Sequence, residues 1–152
     1  MSVSALSAAK TLCILRDWSV SNLELQKILY LAHMYHMGVH NGAPLIKEPF
    51  EAWNYGPVVP DLYQRAKGFG SGPVQNVFHW IDPVPMGTSE FQSLREAAEV
   101  TRRLRPSQLV ANTHAPGGAW YSTYRPNVTG IRIPNAAILN EYRSRSAANS
   151  AA

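Results

Sequence analysis

The chain has 152 residues and lacks several things that would settle its class at once. A single cysteine, Cys13, excludes a disulfide framework and a cysteine-based zinc site. Charged residues make up only 16 % of the chain against 45 % hydrophobic ones. That is the opposite of a disordered composition, and it leaves apolar surface for a partner to cover. No apolar run approaches the roughly 18 residues of a membrane span. The Ser/Ala-rich N-terminus carries one lysine and no apolar core, so no secretory signal is expected. A cytoplasmic protein without a membrane partner follows as the expectation. There is no G-x-S-x-G elbow and no internal repeat. The glycine group at 68–72 is followed by Pro73 rather than Lys-Ser/Thr, which disfavours a phosphate cradle and leaves a flexible connection.

What is present is a basic, mostly helical pattern of single-domain length. The net charge is +4. Residues 1–76 hold 6 basic and 5 acidic side chains and residues 77–152 hold 8 and 5, so the excess lies in the second half, where every cation is arginine. Residues 4–17 read as a helix apolar on more than one side, hence central and well covered. Residues 22–40 give the clearest helix: Ser21 and Glu24 form a capping box, Leu25, Ile28, Leu29, Ala32, His36 and Val39 share a face, and Asn41-Gly42 ends it. Residues 43–60 read as extended, with Pro60 opening a helix to about Lys67. Val74 to Ile81 is a possible strand. Helices are expected at 90–104, at 107–113 capped by Ser107, and from Pro134 over Ala136 to Tyr142, with Pro116-Gly117-Gly118 as a turn that places Trp120. The expected architecture is mostly α: a compact single-domain fold of five or six helices with one or two short strands, residues 1–145 forming the domain and 146–152 a disordered polar tail.

The groups that could carry chemistry are few. His33, His36 and His40 lie on one side of the second helix, and His36 and His40 have zinc-ligand spacing. Met37 follows His36 where the metalloprotease pattern needs Glu, so packing is the better reading and no metal or other cofactor is expected. Glu48 and Glu51 are the nearest carboxylate pair, beside a proline in an ordinary loop. Cys13 sits in an apolar helix with no nearby His in sequence, an inert setting. Arg102, Arg103 and Arg105 end a helix, where cations are welcome. They also leave a nucleic-acid-binding regulator as the alternative function, disfavoured because three charges make no dense stripe. Trp53 and Tyr55, two apart in an extended stretch, should point their rings to one side. With Trp120 they are candidates for core or for a partner surface.

Three ordered segments resemble a known family. Asn22 to Tyr30 is similar to its "LQKLLY" helix, Phe50 to Tyr63 to its "EAW-YGPV-P-VY" signature, and Leu109, Thr113-His114 and Trp120 to its closing "L…TH…W" motif. These are the motifs of the Panacea domain family, the SocA-like antitoxins, and they span about residues 5–125 in matching order. Two departures stand out: Ala119 occupies the position before the final Trp where proline is common, and His33 stands where Gln is usual.

The resemblance implies an antitoxin of a bacterial or phage toxin–antitoxin pair. Its partner would be a cognate protein toxin encoded by an adjacent gene, neutralised by direct contact. One member of the family delivers its toxin to ClpXP, which brings in a ClpXP-type protease as a second partner. The family has no established enzymatic activity, so no catalytic residues are expected. The motif residues carried over are Gln26, Trp53, Tyr55, Gly56, Pro57, His114 and Trp120, as scaffold or toxin-binding positions. Scaffold is the better reading, because Gly-Pro turns and lone large aromatics usually serve structure. Toxin specificity is then expected in the 68–89 loop and the last helix, and His114 is a candidate cap for the helix before it.

Overall fold

In the computed structural model, residues 1–151 are described in backbone and residues 1–148 in side chain. The first helix, α1 (Ala5–Leu15), is capped by the Ser4 side chain, which accepts from the Ser7 N–H. The second, α2 (Asn22–Val39), carries the complete capping box: Ser21 accepts from the Glu24 N–H and Glu24 accepts from the Ser21 N–H. Asn41 and Gly42 follow it with φ of 59° and 90°. Next come β1 (Phe50–Trp53) and β2 (Gly56–Val58), then α3 (Pro60–Ala66) with Pro60 at its first position and a 3₁₀ turn over Lys67–Phe69. After a long irregular segment the chain forms α4 (Ser89–Val100), α5 (Pro106–Thr113) and α6 (Ala119–Thr123). A two-residue strand, β3 (Arg132–Ile133), precedes α7 (Asn135–Ala151).

The fold is mostly α, as expected, with seven α-helices and three short strands among the described residues. The sheet is antiparallel in the order β2-β1-β3. The hub is α2 rather than α1. It packs against α1, α3, α4, α5, α7 and β2, so even Lys27, His33 and His36 are buried on it. Around it lies one core that includes Leu12, Leu25, Leu29, Phe50, Leu94 and Ile138.

Four expectations need correction. Trp53 and Tyr55 do not lie on one extended stretch: Trp53 pairs with Gly56, so Asn54-Tyr55 is the two-residue turn of a hairpin. Residues 74–81 form no strand; Val74 donates one bond to the Val20 carbonyl and Pro73 makes an isolated bridge to Ser21. The third strand lies instead at Arg132–Ile133, a piece too short to show a period. Ser107 lies inside α5 and does not cap it; Arg105 holds the cap position, its N–H donating to Gln108 Oε1 at 2.8 Å, while Thr88 caps α4 by accepting from the Phe91 N–H. The last helix also runs past Tyr142 to Ala151, through residues of the Ser/Ala segment, where alanine favours helix; Ala152 falls outside the described residues.

Candidate functional site

Just past the hairpin turn, β2 begins with a glycine that two neighbours require. Gly56 has φ of +115°, a region that side chains rarely enter. A Cβ there would also lie 2.8 Å from Lys27 Cε, 3.0 Å from its Nζ and 3.1 Å from Thr113 Oγ1. Lys27 is 0 % exposed, and its Nζ donates to the Pro57 carbonyl at 3.1 Å. Burial lowers its pKa from 10.5 to about 7. One residue earlier on α2, Gln26 Oε1 accepts from the Val59 N–H at 2.9 Å, while its Nε2 donates to Asn22 Oδ1 at 3.2 Å. Adjacent side chains of α2 thus hold the backbone in the middle of β2, at Pro57, and just past it at Val59, the residue before α3 begins.

The other wall is aromatic. Trp120 Nε1 donates to the Trp53 carbonyl at 2.7 Å. The His114 ring stacks on Trp120 with centroids 3.7 Å apart and planes within 9°, and Tyr124 stacks on Trp120 at 4.8 Å. The Tyr124 hydroxyl donates to Asn54 Oδ1 in the hairpin turn at 2.9 Å. The Trp53 ring packs on Tyr63 at 4.8 Å, and its Nε1 donates to Glu51 Oε1 at 2.9 Å. Tyr55 is 67 % exposed. Burial lowers the His114 pKa, the Tyr55 backbone carbonyl as an acceptor opposes this, and the Lys27 charge adds to the lowering. His114 Nε2 is buried without a partner among the described residues. His114 does occupy the C-cap of α5, but through its backbone N–H, which reaches Val110 and Ala111; the ring is committed to Trp120.

All seven motif residues therefore meet around one hairpin, although they lie on α2, on β1 and β2, and after α5. Two cavities flank its tip. One, of about 480 Å³, is lined by Glu51, Trp53, Asn54, Tyr124 and the 127–130 turn. The other, of about 280 Å³, is lined by Lys27, Trp53, Asn54, Tyr55, Tyr63 and Lys67. Trp53 and Asn54 form the ridge between them.

The histidines do other work. His33 Nδ1 accepts from the Ile46 N–H and Nε2 faces Asn135 Oδ1 at 3.0 Å; burial lowers its pKa from 6.5 to about 4. His36 Nδ1 lies 2.7 Å from Ser93 Oγ. No group of three or more His, Cys, Asp or Glu able to hold a metal occurs among the described residues. Glu48 accepts from the Ala5 N–H and Glu51 from Trp53, so that carboxylate pair is split between two structural contacts. Cys13 is buried, with its pKa pushed up to about 12 by desolvation.

Two residues escape a reading by sequence. Lys27 was legible only as one letter of the α2 motif. Glu141, the only acidic residue after Glu99, is buried and accepts from Tyr30 Oη at 2.6 Å, from the Ala119 N–H at 3.0 Å and from Arg145. It anchors the start of α6 and so fixes Trp120. Its isolation in an otherwise acid-free stretch was the available signal.

Comparison with known proteins gives two matches. Residues 25–121 match the family model described as antitoxin SocA-like, Panacea domain. The chain is also 33 % identical over 140 residues to "Antitoxin SocA" of Caulobacter vibrioides (strain NA1000 / CB15N), covering 84 % of this chain and 74 % of that protein. No solved structure matches. The matched span begins inside α2 and ends inside α6, enclosing the hairpin and all seven motif residues.

Proposed function

Because the chain belongs to the SocA-like antitoxin family built on the Panacea domain, we propose that it neutralises a cognate protein toxin by direct binding, the toxin being encoded by an adjacent gene. The observation that carries this reading is the family match across the whole hairpin cluster. A second observation supports it: the buried ionisable groups are committed to structure. Arg16 donates to Ala98 and Thr101, Lys27 to Pro57, and Glu141 accepts from three groups. A module that acts by presenting a preorganised surface needs such rigidity and no reactive group. The seven motif residues act first as scaffold, since six of them are tied to one another or to α2 and α3 by the bonds and stacks above. Tyr55, at the tip, is the one free to touch a partner.

The test is co-expression. Inducing the adjacent gene alone should stop growth, inducing both should restore it, and the two products should co-purify at fixed stoichiometry. A neighbour that is harmless alone, or toxic in the presence of this chain, refutes the proposal. Delivery of the toxin to a ClpXP-type protease is a separable step; toxin half-life should lengthen in a protease-deficient host if it operates.

A further inference from the structure

Of the nine asparagines in the chain, only Asn41 is followed by glycine. The pair closes α2: His40 is the C-cap, Asn41 has φ of +59° and Gly42 φ of +90°. The Gly42 N–H donates to the Met37 carbonyl at 2.7 Å, the outer bond of a Schellman cap, and the Ala43 N–H donates to the His40 carbonyl at 3.2 Å. Asn41 is exposed and open to water. The same turn carries the last helix. The Tyr142 ring lies over Gly38, with no room there for a Cβ, and meets Tyr35 edge-on with centroids 6.4 Å apart. A Cβ at Gly42 would lie 3.4 Å from Leu139 Cδ2. The end of α2 is therefore a seat for α7.

An asparagine before glycine is prone to an intramolecular reaction, because the glycine brings no Cβ to obstruct ring closure. The Gly42 nitrogen gives its proton to solvent base and bonds to Asn41 Cγ. The Cγ–Nδ2 bond breaks, and ammonia leaves with a proton from water. The product is a succinimide spanning the two residues. Water then adds to either ring carbonyl. Opening at Cγ gives aspartate; opening at the main-chain carbon gives isoaspartate, whose chain runs on through Cβ and Cγ. In sum, one amide and one water become one carboxylate and one ammonium ion. In the folded chain the attacking nitrogen is occupied, since its proton is held by the Met37 carbonyl. Ring closure therefore waits for the last turn of α2 to open, the local fraying that helix ends undergo. The isoaspartyl chain has an extra backbone carbon before Gly42. The Gly42 N–H then no longer returns to Met37, and Gly42 is displaced from Leu139.

We propose that Asn41 is a site of spontaneous deamidation, that the C-cap of α2 gates it, and that the isoaspartyl product loosens α7. The effect reaches the hairpin cluster, because α7 carries Glu141, which accepts from the Ala119 N–H at the head of α6. The test is incubation of the purified full chain at neutral pH, with and without urea above the unfolding midpoint. Mass spectrometry follows the fragment containing Asn41, and enzymatic methylation counts isoaspartate. Conversion at Asn41 should occur in both samples and be roughly tenfold or more slower in the folded one. Asn41→Gly, which keeps the left-handed conformation, should fold and show no conversion in that fragment. The isoaspartyl form, separated on ion exchange by its added negative charge, should melt roughly 2 °C or more below fresh protein. Its Ala119 amide should also exchange with deuterium faster. Conversion confined to the urea sample, over an incubation of many unfolded-state half-lives, overturns the site. Equal rates with and without urea overturn the gate. An isoaspartyl form that keeps the melting temperature or the Ala119 exchange rate of fresh protein overturns the link to α7.

Discussion

Gly56 and Lys27 are fitted to each other, and each makes a prediction about single residues. Gly56 must accept φ of +115° and also leave room for the Lys27 stem. Gly56→Val should cost at least about 2 kcal/mol from backbone strain alone, with the steric clash added. The melting temperature should then fall by roughly 5 °C or more in a calorimetric scan. Lys27 sets a pH dependence. Its pKa falls from 10.5 unfolded to about 7 folded. Between those values the unfolded chain holds a proton that the folded one lacks, so stability rises with pH across the window. The urea midpoint should climb from pH 7 to pH 9. Lys27→Met should flatten that climb while weakening the fold at pH 9, where the Pro57 carbonyl loses its donor. The glycine was legible from the proline-framed motif; the reason for it was not, because a lysine in a sequence carries no sign that it is buried.

Elements were legible where their signals are local. The α2 capping box, the Asn-Gly stop and Pro60 at the head of α3 are chemistry between near neighbours, and the structure has them where the residues place them. Strands were less so. The hairpin turn Asn54-Tyr55 lacks the usual glycine, because Gly56 follows the turn instead of occupying it, and β3 takes its partner from some eighty positions away. Pairing of that kind is decided by the fold, not by the segment. The short α6 depends on one long-range bond, from the Ala119 N–H to buried Glu141. Here the departure from the family's proline has a physical counterpart, since proline could not make that bond. Ala119→Pro should destabilise the protein by about 1.5–3 kcal/mol, the range for a hydrogen bond to a charged group. Thermal denaturation of the single variant checks this, and Glu141→Gln should reduce the penalty of the proline.

For the whole molecule, burial of polar groups around α2 governs behaviour in acid. His33 is held neutral, with its pKa lowered from 6.5 to about 4. Unfolding lets it take a proton anywhere between those values. The stability it contributes is complete above pH 6.5 and is lost as pH falls toward 4. The denaturation midpoint should drop over that interval. His33→Gln, which installs the residue more usual in the family, should make the drop shallower. Burial also lowers the His36 pKa, so some acid sensitivity should persist in the variant.

The three-way grip of Glu141 joins α2 through Tyr30, α6 through Ala119 and the last helix through Arg145. Translation delivers those partners in a fixed order, α2 first and Arg145 last. Until residue 145 has left the ribosome, the Glu141 anchor of α6 is incomplete, and Trp120 rests against the hairpin on its indole bond and ring stacks alone. Nascent chains stalled before and after residue 145 has emerged should therefore differ in protease resistance at the hairpin.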